Sequence, residues 1–143
     1  MVIKTILIFL IALLGYSEWL TGTSYLQRPI VLGPLVGLVM GDMVTGTIMG
    51  ATMELAMVGA ISVGAYNPPD TISGTILGVS LAMQAGADAS AALTLGIPIA
   101  TIVLALDTAL GQPVMLLLVH RIDKNVEDGD TKAITRNMLI AGY

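Results

Sequence analysis

The chain has 143 residues, of which 55% are hydrophobic and 11% charged, and its formal net charge is −4. Soluble domains carry about 25% charged residues, so these side chains cannot cover a globular protein in water, and we expect an integral membrane protein. Six Lys and Arg residues provide no basic surface for a nucleic acid, and a chain with no Cys and one His offers no disulfide, no metal site of the His and Cys type and no expected cofactor.

The N-terminal segment could be mistaken for a signal peptide. Lys4 precedes the apolar run TILIFLIALLG, but the residues from Tyr16 to Trp19 lack the small residues of a cleavage site. Tyr16 and Trp19 are instead typical of the aromatic belt at a membrane interface. We therefore predict that residues 2–20 form a retained first membrane helix.

Charge-free runs in the middle of the chain are short for membrane spans. A spanning helix needs about 20 apolar residues, and only the runs 71–87 and 89–106 approach that length. Other segments either carry an acid within a span or enter the bilayer without crossing it, which is tolerated where protein surrounds the backbone. The sequence predicts an all-α, polytopic integral membrane protein with a re-entrant hairpin or broken helices within residues 29–119.

Three G-x-x-x-G motifs lie at residues 37–41, 46–50 and 74–78. Small residues allow helix backbones to approach closely in lipid, where no hydrophobic force drives helices together. Leucine at Gly46 or Gly50 should disrupt this packing, whereas alanine is expected to be tolerated there. The glycines to which we assign a structural or helix-packing role are Gly37, Gly41, Gly46 and Gly50.

Other positions predict breaks between helices. The sequence Tyr66-Asn67-Pro68-Pro69-Asp70 loses two backbone donors to its prolines, and residues 84–90 form a small, polar turn. The run from Ser90 to Val119 is long enough for one tilted span, and its Pro and Gly residues predict kinks, or a span followed by a shorter segment.

Five acids and no base lie between Pro29 and His120. An isolated ionised carboxylate is costly to bury, so each acid must be paired, neutralised or exposed. We interpret Asp42 as a structural helix N-cap, and Arg28 as a structural residue that could neutralise either Asp42 or Glu54. Glu54 has no turn residue beside it, which makes it a candidate for ligand binding.

The remaining acids leave more alternatives open. Asp70 follows two prolines and suits either a turn or a ligand contact. Asp88 is expected in an exposed turn, and Asp107 could pair with another helix or a partner subunit. Carboxylates and amides suit the vicinal hydroxyls of a sugar, but acids in a membrane also suit a monovalent cation or a proton.

The composition changes at Arg121. We predict a membrane domain over residues 1–120, a charged and partly amphipathic connector over 121–137, and the start of a further apolar segment over 138–143. The connector concentrates Lys and Arg, and the positive-inside rule then favours its cytoplasmic location.

The block from Arg28 to Asp70 resembles the IIC membrane subunit of bacterial phosphotransferase systems, in the mannose–fructose–sorbose family and nearest to its N-acetylgalactosamine branch. The resemblance rests on the pattern RP-x6-G-x3-GD-x3-G-x3-G-x3-E, and it implies that the chain corresponds to the N-terminal half of a IIC subunit. The positions that carry this pattern are Arg28, Pro29, Gly37, Gly41, Asp42, Gly46, Gly50 and Glu54.

The resemblance implies a multi-pass protein of the bacterial cytoplasmic (inner) membrane that imports a hexose or amino sugar of the N-acetylgalactosamine, galactosamine, mannose or sorbose type. It implies a IID membrane partner, hetero-oligomers with higher-order copies, and a phosphorylated IIB, supplied by IIA, that phosphorylates the incoming sugar. The chain itself would not carry the phosphoryl group. The sugar contacts that it implies are Glu54, Ser62, Asn67 and Asp70.

Two other functions remain open at this point. The first is a small cation-coupled transporter or channel subunit that uses the same carboxylates. The second is a non-catalytic assembly factor of the membrane that packs through its G-x-x-x-G faces. Dependence of uptake on phosphoenolpyruvate, on an ion gradient or on neither would separate the three.

Overall fold

The computed structural model describes residues 2–17, 22, 24–64, 66–127 and 131–141, and every regular element in these ranges is helical. The predicted all-α class is therefore confirmed. Contacts divide the chain into two compact units, one up to Leu104 and one from Ala105. The elements are α1 (Val2–Tyr16), α2 (Pro29–Met40), α3 (Met43–Met57), α4 (Thr71–Gln84), α5 (Ala89–Leu106), a π-helical turn (Asp107–Gly111), α6 (Gln112–Glu127) and α7 (Thr131–Ala141).

Helix α1 ends at Tyr16, and the predicted residues 18–20, including Trp19, lie outside the described residues. Most of its side chains are exposed, and Gly15 is its buried residue. At the other end, Lys4 Nζ donates a hydrogen bond to the carbonyl oxygen of Met40 at 3.1 Å. Because Met40 ends α2, a cation lies at the negative end of that helix dipole.

Helices α2 and α3 form an antiparallel hairpin joined at Gly41 and Asp42. Gly41 adopts a left-handed conformation with φ of 105°, which glycine reaches without steric cost. The Asp42 carboxylate accepts a hydrogen bond from the Thr45 backbone N–H at 3.0 Å and so caps α3. The helix therefore breaks at residues 41–42, while Gly46 and Gly50 lie inside the uninterrupted helix α3.

The helices of this hairpin are too short to cross a bilayer. They contain 12 and 15 residues, or about 18 and 22 Å at about 1.5 Å per residue, whereas the hydrocarbon core is about 30 Å thick. In the described part of the chain, one stretch, Ala89–Lys124, is long and apolar enough to be a candidate span.

Glycines let the backbones of α2 and α3 touch. A Cβ atom placed on Gly33 would lie 2.5 Å from the Gly50 Cα, and one placed on Gly46 would lie 2.5 Å from the Gly37 Cα. Real Cβ atoms do not approach backbone atoms so closely. The expected tolerance of alanine at Gly46 and Gly50 is therefore wrong, because the obstacle at both is the opposite backbone rather than a movable side chain.

A second small-residue contact joins α4 to α5. A Cβ on Gly78 would lie 2.8 Å from the Gly96 Cα, and a Cβ on Gly96 would lie 2.6 Å from the Met53 Cε. Met53 is fully buried, and the end of its side chain therefore packs from α3 against Gly96 of α5. The core cluster of the first unit comprises Leu32, Val36, Met49, Met53, Ile72, Ile76, Val79, Ala82 and Ala92.

The turn between α4 and α5 contains Gly86 with φ of 64° and the exposed Asp88. The Ser90 hydroxyl donates to Asp88 Oδ1 at 2.7 Å and the Ala91 N–H donates to it at 3.1 Å. These bonds, the Ser90 hydroxyl first, hold the pKa of the Asp88 carboxyl below its usual value. The cap is therefore fully formed above the ordinary pKa of aspartate, and its contribution to stability is lost as the pH falls through the lowered value.

The second unit begins within the last turn of α5. The π-helical turn contains a hydrogen bond from the Gln112 N–H to the Asp107 carbonyl, and it precedes Pro113, which has no N–H to continue the α-helical pattern. Helix α6 then continues through the predicted boundary at residue 120 to Glu127. The limits of the predicted domains at 120 and 137 stay predictions.

The hairpin contact yields the first testable prediction. Gly46→Ala and Gly33→Ala should each lower the free energy of unfolding by about 1–3 kcal/mol, because the added methyl group forces the two backbones apart. The measurement is unfolding of the chain in lipid bicelles by titration with sodium dodecyl sulfate. Gly59→Ala is the matched control, since a Cβ at Gly59 meets nothing within 4 Å. Equal stability of all three variants would contradict a close contact.

Candidate functional site

Glu54 forms an ion pair with Arg28. Arg28 Nε donates to Glu54 Oε1 at 2.7 Å, and Nη2 donates to the same oxygen. The backbone N–H of Ile30 donates to Oε2 at 3.3 Å. The glutamate side chain is 16% exposed and that of the arginine 47%, so a mostly buried carboxylate is neutralised by a half-exposed cation.

The hairpin contact determines where this pair forms. Arg28 precedes Pro29, the first residue of α2, and Glu54 follows Gly50 by one helical turn. A Cβ on Gly50 would lie 2.6 Å from the Pro29 carbonyl oxygen, so the backbone approach places the glutamate beside the start of α2. Here the positive end of the α2 dipole also favours a carboxylate.

The carboxylate of Glu54 retains capacity for a ligand. Two oxygens provide about four lone-pair sites, of which Oε1 uses two with Arg28 and Oε2 uses one with Ile30. One acceptor position on Oε2 is therefore not used by the described residues. It can accept a hydroxyl hydrogen without disrupting the ion pair.

Asp70 is bound to protein groups rather than to Glu54. Its carboxylate caps α4 by accepting from the Ser73 N–H at 3.2 Å, and it also accepts a hydrogen bond from the Tyr16 hydroxyl. The Tyr16 and Ser73 hydroxyl oxygens are 2.7 Å apart. Asp70 was predicted to be either a turn residue or a ligand contact, and in the structure its carboxylate serves the turn at the start of α4.

Ser62 and Asn67 lie on the irregular segment between α3 and α4, and both side chains are exposed. Neither forms a hydrogen bond to another side chain or backbone group within the described ranges. Of the four candidate ligand residues, Glu54 and Asp70 therefore belong to separate hydrogen-bonded clusters, and the segment that carries Ser62 and Asn67 connects them along the chain.

Asp107 lies in the second unit. Its side chain is exposed. It lies close to Gly111, since a Cβ added to that glycine would be 2.6 Å from Asp107 Oδ1. No described basic group forms an ion pair with it. Within the same ranges no group of three or more His, Cys, Asp and Glu residues could hold a metal ion.

Sequence reasoning missed the role of Tyr16. An aromatic residue at the end of an apolar helix suited a membrane interface, and nothing local linked it to Asp70, which lies 54 residues away. The pairing of Arg28 with Glu54 was one of two partners considered for this arginine. The structure selects it because Asp42 is turned toward Thr45 at the other end of the hairpin.

The model of the family described as "PTS system sorbose-specific iic component" matches residues 2–143. The N-acetylgalactosamine permease IIC component 2 of Escherichia coli K12 is 38% identical over 94 residues, covering 66% of this chain and 71% of that protein. The mannose-specific EIIC component of the same strain is 29% identical over 133 residues, covering 93% of this chain and 50% of that protein.

A solved structure extends the similarity to the fold. A chain in the cryo-electron microscopy structure of the mannose transporter ManYZ with microcin E492 superimposes with a TM-score of 0.86 at 27% identity. The match covers 99% of this chain and 57% of that one. The chain thus spans about half the length of the mannose-specific relative and of this structural match. This membrane protein belongs to the family of sorbose-specific IIC components of the phosphotransferase system.

Proposed function

We propose that this chain is a sugar-translocating IIC subunit of a phosphoenolpyruvate-dependent phosphotransferase system in the bacterial inner membrane, which it crosses several times. Its substrate is a hexose or amino sugar of the N-acetylgalactosamine, galactosamine, mannose or sorbose type. It works with a IID membrane subunit, and a phosphorylated IIB, supplied by IIA, phosphorylates the sugar inside the cell. The family membership of the whole chain supports this assignment.

The binding role is supported by the ion pair of Glu54 with Arg28, which leaves one acceptor position on Glu54 Oε2 unused by the described residues. A carboxylate that is neutralised by Arg28 can remain at membrane depth without a proton or a metal. Its free acceptor position suits a neutral ligand rich in hydroxyl groups, such as a sugar. We propose Glu54, Ser62 and Asn67 as sugar contacts, with Asp70 holding the segment that carries the last two.

The short hairpin fits the same proposal. Helices α2 and α3 do not have the length to cross the bilayer, so a re-entrant position would place the Arg28–Glu54 pair within the membrane, where protein must surround it. A sugar path at this point would be lined by polar groups while the glycine contact keeps the hairpin rigid. IID is the proposed source of the opposite wall.

The alternative of a cation-coupled transporter is less well supported. A cation site needs a carboxylate that is available to the ion, and the guanidinium of Arg28 already occupies that position at Glu54. The two functions differ in uptake: transport by a IIC subunit depends on phosphoenolpyruvate and not on a sodium or proton gradient. Uptake that follows the gradient alone would favour the cation carrier.

The binding role predicts an effect of Glu54→Gln. This change keeps the size of the side chain but removes its charge, so sugar affinity should fall by about 1.5–3 kcal/mol if a charged hydrogen bond is lost. The measurement is binding of radiolabelled sugars, with N-acetylgalactosamine, galactosamine, mannose and sorbose as the panel. The membranes contain the chain together with IID.

Two variants serve as controls. Arg28→Lys keeps a cation beside Glu54, so the carboxylate stays paired and the loss of affinity should be at least about tenfold smaller than in Glu54→Gln. Asp123→Asn, at an exposed acid of α6, should leave affinity unchanged. Equal losses in Glu54→Gln and Arg28→Lys would mean that affinity follows the geometry of the ion pair rather than an acceptor on Glu54, and would contradict the binding role.

The subunit assignment makes a separate prediction about the partner. Asp107 is exposed and forms no ion pair with a described basic group, so we expect it to need groups from outside this chain. Expressed alone, the chain should aggregate in mild detergent, and co-expression with IID should give a sharp peak in size-exclusion chromatography. A sharp peak of the partner-free chain that also binds sugar would contradict the assignment.

A further inference from the structure

The segment between α3 and α4 is attached to the first unit mainly at its C-terminal end. Hydrogen bonds of the described residues from Val58 to Pro69 are all local, such as those from Ala60 to Met57 and from Tyr66 to Val63. Pro68 and Pro69 have no N–H to donate. Asp70 is then the first residue after this segment that bonds to a distant element, since its N–H donates to the Ala100 carbonyl of α5 at 3.2 Å.

Asp70 is held in turn by Tyr16. The tyrosine hydroxyl donates to Asp70 Oδ2 and lies 2.7 Å from the Ser73 hydroxyl oxygen. The same carboxylate oxygen accepts from the Ser73 N–H. Three elements therefore meet at Asp70, α1 and α4 at its carboxylate and α5 at its backbone N–H.

The position of Tyr16 is itself constrained by packing. The preceding residue, Gly15, is buried, and a Cβ added there would lie 3.0 Å from Ile72 Cγ2 and 3.5 Å from Leu32 Cδ2. The far end of α1 is held by the bond from Lys4 to Met40. Both ends of α1 therefore have contacts to other helices, and those at Gly15 place the Tyr16 hydroxyl beside Asp70.

We propose that Tyr16 is a positioning residue for substrate binding: through Asp70 it fixes the segment that presents Ser62 and Asn67 to the sugar. The inference rests on the proposed function, because the ligand is the sugar of that site. The proposal gives α1 a role in substrate binding, although this helix is distant in sequence from the segment between α3 and α4. Tyr16 does not touch the sugar in this scheme, so its removal alters affinity rather than the transfer step.

The test compares Tyr16→Phe, which removes only the hydroxyl, with the matched control Tyr25→Phe, which alters an exposed tyrosine outside the cluster. Asp70→Asn is the second variant, since asparagine still caps a helix but accepts less strongly from the tyrosine. The first readout is hydrogen–deuterium exchange of backbone amides between residues 58 and 67 in the complex with IID. The second is sugar uptake, analysed as KM and Vmax.

Tyr16→Phe should increase amide exchange in this segment while α2 and α3 stay protected. It should raise KM about 3- to 10-fold, the range expected from the loss of one hydrogen bond, and leave Vmax unchanged. Asp70→Asn should do the same, and the double variant should be no worse than either single one. Tyr25→Phe should match the wild type.

Unchanged exchange in Tyr16→Phe, or increased exchange across the whole chain, would overturn the proposal. A fall in Vmax at constant KM would also overturn it, because positioning of a binding segment acts on affinity. If the wild-type complex binds none of the sugars, the proposed function fails. The exchange readout then still decides whether Tyr16 holds the segment.

Discussion

The contact between the backbones of α2 and α3 is the constraint on which the first unit depends. Gly33 and Gly37 face Gly46 and Gly50 with no room for a methyl group. In lipid this approach is stabilised by van der Waals packing along the helices rather than by a hydrophobic driving force. It also fixes the register of the hairpin, so that Glu54 comes to lie beside Arg28 and the first N–H groups of α2.

The register of the α2–α3 hairpin therefore determines how the charge of Glu54 is neutralised. Glu54 is mostly buried, and an ionised carboxylate in such a place requires a partner. Arg28 supplies the charge and Ile30 supplies a backbone donor. The other described acids of the first unit have a different environment: Asp42, Asp70 and Asp88 cap helices, where backbone N–H groups satisfy their oxygens. Among these described acids, Glu54 is the one that pairs with a cation, and it is the one for which we propose a ligand.

Much of this arrangement could be predicted from the sequence. Charge-free runs and turn residues predicted short helices, and the G-x-x-x-G motifs predicted close packing. The cap at Asp42 follows from its position after Gly41, because capping is a local interaction. The resemblance identified the family to which the whole chain belongs.

The remaining features depend on contacts that are distant in sequence. Whether Arg28 pairs with Asp42 or Glu54 is decided by the direction of the hairpin, which residue types do not reveal. The bond between Tyr16 and Asp70 requires α1 to pack on α4 through Gly15. The loss of stability caused by an added methyl group also depends on such contacts. The G-x-x-x-G motif alone does not say whether backbone or side chain lies opposite each glycine.

The most direct test of this account is a double-mutant cycle of Arg28→Gln and Glu54→Gln, measured as free energies of unfolding in two backgrounds. In the wild-type chain the two side chains should show a coupling energy of about 1–3 kcal/mol. In the Gly50→Ala background the hairpin is displaced by the added methyl group, and the coupling should fall to near zero. A coupling energy that is the same in both backgrounds would show that the ion pair forms independently of the glycine contact and would contradict the account.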